Sequence, residues 1–157
     1  MSDWEKRIAD LGVQLPGPLP AGGVYASVVV DGDLAYTSGI VAVDPGPPLK
    51  LAYGGCLGDD LSVEDGQKGA RGAMASTLGN LRGALGDLNR IERFLKVTGY
   101  VRATHDFTDL PKVLDGASEL IKEIFGEDRL AARTTVGVTA LPGGASVELD
   151  TVVRLSG

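Results

Sequence analysis

From Ser62 to Gly86 apolar residues recur at helical spacing, and a second such stretch runs from Leu110 to Gly126, with β-rich segments before, between and after them. This alternation limits the fold more than any other feature, because each amphipathic helix must lay its stripe on a sheet. After a short N-terminal helix the order is β-β-α-β-α-β-β. That order predicts an α+β layer in which one mixed sheet carries two helices on one face. In the first long helix the stripe is Val63, Ala70, Met74, Leu78, Leu81 and Leu85. Ser62 and Asp65 form a capping box in which Asp replaces the usual Glu or Gln. In the second, Leu110, Val113, Leu114, Ala117, Leu120, Ile121 and Ile124 form the stripe, Pro111 suits the first turn and Gly126 the stop. Gly66, Gly69, Gly72 and Gly79 lie inside the first helix, where each costs about 1 kcal/mol relative to Ala. Their smallness therefore serves close packing, against the sheet or a neighbouring subunit. A phosphate loop is excluded, since no Walker lysine and no strand-turn-helix context accompany them.

The strands are read from alternation and turn chemistry. Runs from Val24 to Val30 and from Leu34 to Val43 flank Asp31-Gly-Asp33, a hairpin signal. Ile91 to Arg102 is a third strand. Thr134 to Ala140 and Ser146 to Arg154 are predicted to pair as a hairpin around Leu141-Pro-Gly-Gly-Ala145. Trp4, Ile8 and Leu11 predict a helix from Asp3 to Leu11, followed by an extended proline-rich arm from Leu15 to Gly23. Asp44 to Asp60 reads as a loop, with a short strand around Leu49 to Tyr53. In the last strand Val147, Leu149, Thr151 and Val153 alternate with Glu148, Asp150 and Val152, and neither set is wholly polar. A sheet covered by helices on one side and still apolar on the other predicts a symmetric homo-oligomer.

Composition narrows the function classes. With 157 residues, residues 1–157 are read as one domain with its own core. Fifteen Lys and Arg against twenty-one Asp and Glu give a net charge of -6, which argues against nucleic acid and anionic membrane as partners. One Cys and one His exclude a structural zinc site and an internal disulfide. No apolar leader or membrane span is present in the sequence, so the expected address is the cytoplasm.

Few side chains are placed for chemistry. Arg133 opens a β-run, where its guanidinium offers a rigid fork for a carboxylate; the plainer alternative is a surface arginine paired with a nearby acid. Glu148 lies mid-strand between apolar neighbours, and Asp150 shares its face. Two like charges there would raise one pKa and create a proton-transfer group, unless the face is simply solvated. His105, the sole histidine, opens His105-Asp-Phe107 between a strand and a helix, as a capping residue or a site residue. Cys56 reads as an ordinary thiol, and Thr37-Ser38-Gly39 is no nucleophile elbow.

Tyr36-Thr-Ser-Gly39, Lys96-Val-Thr-Gly-Tyr-Val101, His105-Asp-Phe107, Ala132-Arg-Thr-Thr-Val-Gly-Val138, Leu141-Pro and Val147-Glu148, in that order, resemble the reactive intermediate deaminase family, RidA or YjgF, formerly labelled endoribonuclease L-PSP. The likeness runs from about Tyr25 to Val153. It implies a chorismate-mutase-like α+β fold, here with an extra N-terminal helix, and a homotrimer with its sites in the clefts between subunits. The implied activity is cofactor-free hydrolysis of enamine and imine acids to 2-keto acids and ammonia. The alternative is a non-catalytic trimer that binds small carboxylates such as 2-keto acids. By position Arg133 matches the family's carboxylate-binding arginine and Glu148 its water-positioning glutamate. Tyr25 and Ser38 match pocket-lining residues, Gly39 a backbone donor, and Thr135 a position whose carbonyl faces the ligand nitrogen. His105 stands where asparagine is frequent, Gly137 where glutamate is, and Ile40 where glutamine follows Ser-Gly. With the N-terminal helix and the long 44–60 loop, these departures imply a divergent subgroup with an altered pocket. The older ribonuclease label conflicts with the acidic charge.

Overall fold

A computed structural model describes residues 3–157. The N-terminal helix, α1, spans Trp4–Asp10 and is capped by the Asp3 side chain, which accepts from the Lys6 amide. It is tied to the body at several points. Trp4 donates its amide to Asn89 Oδ1 at 2.6 Å and its indole N–H to the Ile91 carbonyl at 2.9 Å, and Arg82 grips Glu5 with two hydrogen bonds of 2.6 and 3.1 Å. Trp4 also meets Phe125 edge-on at 5.3 Å.

Strands β1 (Val28–Asp31) and β2 (Leu34–Thr37) form the expected hairpin, with Gly32 at φ +60 in its two-residue turn. The second predicted run does not continue unbroken to Val43. It breaks at Ser38-Gly39 and resumes as a two-residue β3 (Ile40–Val41). The long helix α2 (Val63–Leu85) starts at the Ser62 and Asp65 capping box and stops at Gly86, which adopts φ +79. Strand β4 spans Ile91–Arg102, helix α3 Leu110–Phe125, strand β5 Ala132–Val138 and strand β6 Val147–Leu155. Between Val43 and Leu61 only isolated bridges form, among them Val43 with Leu51, so the expected strand near Leu49 to Tyr53 is a single bridge.

The sheet order is β1-β2-β6-β4-β5, with β3 also paired to β6. This corrects the predicted final hairpin: β5 and β6 do not pair. Strand β4 lies between them, parallel to β5 and antiparallel to β6. The glycine-rich turn between them resembles a hairpin loop locally. However, β4 and β5 are joined through α3 as a parallel crossover, which leaves β5 on the outside, and β6 takes the buried central slot beside β4 and β2.

Helices α2 and α3 cover one face. Val97, Val101, Val147, Leu149 and Val153 from the sheet meet Met74, Leu78, Leu81, Leu114, Ala117 and Ile121 from the helices, all essentially buried. Arg71 of α2 holds Glu123 of α3 through two hydrogen bonds of 3.2 and 2.7 Å. The helix glycines divide their work between partners. At Gly72 a Cβ would stand 2.8 Å from Ala42 Cβ, so α2 lies tightly on the segment leading out of β3. At Gly79 the partner is not the sheet but the N-terminal arm, whose Pro16 carbonyl occupies the place a Cβ would take. Among the described residues no element covers the other sheet face, where Val29, Tyr36 and Val136 are exposed.

Candidate functional site

The register of β6 shows how the site is made. Tyr36 faces Val152 and Ile40 faces Leu149, so three residues, Thr37 to Gly39, stand opposite two, Asp150 and Thr151. That is a β-bulge, a device that bends a strand and re-aims its side chains. Thr37 anchors it: its hydroxyl accepts from the Thr151 amide at 2.9 Å and lies 3.2 Å from the Thr151 hydroxyl. On its other side the Ser38 amide donates to the Ser27 carbonyl at 2.9 Å. Ser38 and Gly39 are thereby lifted out of the ladder at the sheet edge. There they line a cavity of about 210 Å³ with Tyr25, Ser27, Glu148, Asn80 and the arm residues Leu19, Pro20 and Gly22.

Glu148 projects from β6 between Val41 of β3 and Tyr100 of β4. Its carboxylate lies against the Cα of Gly39, so closely that a Cβ there would stand 2.9 Å from Glu148 Cδ and collide with Oε1. Partial burial, and secondarily the charge of Asp150, push the Glu148 carboxyl above its ordinary value. Asp150 accepts a hydrogen bond of 2.9 Å from the Tyr100 hydroxyl, and that bond, with burial, raises the Tyr100 phenol. The two acids therefore differ: Asp150 is held by a donor, whereas Glu148 is crowded into the cavity wall. Tyr25 curls its hydroxyl back to accept from the Gly22 amide at 3.0 Å, which shapes the arm into a wall.

Of the residues singled out from sequence, Tyr25, Ser38, Gly39 and Glu148 meet in this cavity. Arg133 does not join them within one chain. It is in register with Val97 and so faces the helices, where it donates to Asp115 Oδ1 at 2.8 Å, Ser118 Oγ at 3.0 Å and the Pro111 carbonyl at 3.0 Å. It lines a separate surface groove at the outer edge of the sheet. Thr135 follows on the same edge strand, in register with Gly99. His105 is exposed in the turn after β4, away from the cavity. Asn80 and the arm residues Leu19 and Pro20 also line the cavity, although no motif in the sequence marks them. A polar amide between Leu78 and Leu81 on an apolar helix was the available signal. Among the described residues no three His, Cys, Asp or Glu side chains gather as a metal ion would require, and no helix is long and apolar enough to cross a membrane.

Residues 5–147 match a family model described as "YjgF/chorismate mutase-like, putative endoribonuclease". Protein TCP17 of Trypanosoma cruzi is 37% identical over 151 residues, which are 93% of this chain and 90% of that protein. Two solved structures are similar over nearly the whole chain. The protein Atu1372 of Agrobacterium tumefaciens, of unknown function, is 34% identical with a TM-score of 0.86, over 98% of this chain and 94% of that one. A structure from Shewanella oneidensis described as "a putative endoribonuclease" is 30% identical with a TM-score of 0.89, over 98% and 100% of the two chains. The bulged strand, the helix-backed mixed sheet and these matches lead to one conclusion: the chain belongs to the RidA/YjgF family, also labelled endoribonuclease L-PSP.

Proposed function

We propose that the protein hydrolyses reactive 2-imino and enamine acids to 2-keto acids and ammonia, without a cofactor, in the clefts of a homotrimer. The observation that carries this reading is the Glu148 carboxylate, which lines a cavity beside Ser38, Gly39 and Tyr25 with its pKa raised by burial and by Asp150. A carboxylate whose pKa is drawn toward neutrality is suited to exchange protons with water and with a nitrogen leaving group. An enamine first becomes the imine by moving its N–H proton to the terminal carbon. Glu148 then holds a water against the imine carbon and accepts its proton as the C–O bond forms, the C=N electron pair moves to nitrogen, and Glu148 returns that proton to the nitrogen to give a neutral carbinolamine. Glu148 next carries the hydroxyl proton to the amine, the C–N bond breaks to release ammonia, the keto C=O forms, and Glu148 is again a carboxylate.

The substrate carboxylate needs a cation, and among the described residues none lines the cavity of a single chain. Arg133, at the β5 edge, supplies it from the neighbouring subunit, and the uncovered sheet face with its exposed Val29, Tyr36 and Val136 provides the surface on which subunits meet. A second reading, a trimer that binds 2-keto acids or similar carboxylates without turnover, uses the same cavity, where the Ser38 hydroxyl can meet a carboxylate whether or not Glu148 moves a proton.

The deciding assay couples a serine dehydratase, which releases 2-aminoacrylate, to detection of imine decay, with the wild type, Arg133→Ala and Glu148→Gln side by side. Faster decay with wild type alone supports hydrolysis. No acceleration by an intact trimer, with a rise in melting temperature on adding 2-keto acids, supports binding without turnover. Neither effect overturns both readings.

A further inference from the structure

Asn80 is 4% exposed on α2, and its amide carries one acceptor oxygen and two donor hydrogens. Only the acceptor is accounted for. The Leu19 amide of the arm donates to Asn80 Oδ1 at 2.6 Å, which also fixes the orientation of the amide and leaves Nδ2 as the opposite end. Among the described residues Nδ2 makes no hydrogen bond and is not one of the fully buried unpartnered atoms, so what surface it keeps is free for a ligand. The side chain lines the same cavity as Ser38, Gly39 and Glu148. The chain's other asparagine, Asn89, shows what the acceptor role alone looks like, since it takes the Trp4 amide at 2.6 Å and does not line this cavity.

We propose that Asn80 is a ligand-binding residue of this cavity, its Nδ2 donating to a carboxylate or carbonyl oxygen of the bound acid while its Oδ1 holds the arm that forms the cavity wall. One side chain thus joins wall and ligand, so occupancy of the cavity and seating of the arm reinforce each other. The site takes an oxygen acceptor, and a cationic or purely apolar ligand leaves the Nδ2 donors unmet. This inference rests on the reading of the cavity as a 2-keto or 2-imino acid site.

The sequence contains two asparagines, Asn80 and Asn89, so a protein labelled with ¹⁵N at asparagine side chains gives two NH₂ pairs, of which Asn89 is an internal reference. On titration with pyruvate the Asn80 pair is expected to shift and the Asn89 pair to stay. Asn80→Asp retains an acceptor for Leu19 but replaces the donor, and is expected to weaken pyruvate binding at least tenfold with the arm still seated. Pyruvate binding seen by calorimetry with the Asn80 pair unmoved overturns this inference alone, as does undiminished affinity in Asn80→Asp. If neither pyruvate nor 2-ketobutyrate binds the wild-type protein, the reading of the cavity fails and the inference falls with it. Should Asn80→Asp fail to fold, the titration of the wild type decides by itself.

Discussion

Gly39→Ala separates the site from the fold. Gly39 lies outside the left-handed region, so alanine is compatible with its backbone, and no backbone atom blocks the new methyl group. What blocks it is the Glu148 side chain. Glu148 Cδ would lie 2.9 Å from the added Cβ and Cγ 3.3 Å, inside the optimum carbon separation of about 3.5 to 4.0 Å, and Oε1 is nearer still. The carboxylate must swing away by about 1 Å or more to restore that spacing. Forcing Glu148 off its rotamer costs about 0.5 to 1.5 kcal/mol. Against this, replacing Gly by Ala at a compatible position gains about 0.4 to 1 kcal/mol through the unfolded state. The difference is within about 1 kcal/mol, or about 4 °C in melting temperature for a chain of this size. Catalysis has no such offset, because a displacement of about 1 Å at a reacting group costs about 100-fold. Thermal unfolding and the coupled imine assay should therefore show a protein of wild-type stability with kcat/KM reduced about 100-fold. Gly39→Ala retaining activity within about threefold would refute the placement of Glu148 as the group that handles water.

Gly79→Ala should behave in the opposite way. Its Cβ meets the backbone carbonyl of Pro16, which cannot swing aside like a side chain, so overpacking of about 1 to 3 kcal/mol lowers the melting temperature and loosens the arm, measurable as faster hydrogen exchange at Leu19. Ser62→Ala removes half of a capping box in which Ser62 Oγ accepts from the Asp65 backbone amide at 3.1 Å, and urea unfolding should show a loss of about 1 kcal/mol. Glu148→Gln should raise the melting temperature near neutral pH. With its folded pKa raised, Glu148 binds its proton more tightly folded than unfolded. The wild type therefore loses stability as pH climbs from the ordinary glutamate value to the raised one, and below that window the variant's advantage should vanish. Asp115→Asn removes the carboxylate that competes for Arg133, so KM for imine substrates should fall severalfold while stability changes by less than about 1 kcal/mol, the exposed pair being weak.

Where a structural decision is local, the residues announce it. Ser62, Asp65 and Gly86 bracket α2, Pro111 and Gly126 bracket α3, and β4 occupies the span its alternation marks out, because caps and periodicity act within a few residues. The pairing of β6 is decided elsewhere. The turn at Pro142 to Gly144 is compatible with a hairpin, yet Val147, Leu149, Thr151 and Val153 are buried only if β6 runs between β2 and β4, and nothing within the turn records that competition. The bulge at Ser38-Gly39 was equally hidden, since one surplus residue is visible only when Tyr36 and Ile40 are set against their partners on β6.

The candidate site combines both kinds of information. Tyr25, Ser38, Gly39 and Glu148 were legible as a set through the family resemblance, and the fold gathers them at one edge. Asn80 was legible only as an amide in the wrong company. Arg133 stands apart for a reason that the topology supplies. Its strand is the last of the sheet on the side away from β1, and its side chain faces α3, whereas the cavity opens beside β3 at the other end of the strand order. No side-chain rotation within one subunit carries a guanidinium across two strands and through the sheet. A site that uses both Arg133 and Glu148 must therefore draw them from different subunits. Mixing Arg133→Ala and Glu148→Gln chains, each inactive alone, should restore part of the activity through the hybrid clefts that contain one intact copy of each residue. A mixture that stays as inactive as its components would place the substrate's carboxylate on some other cation.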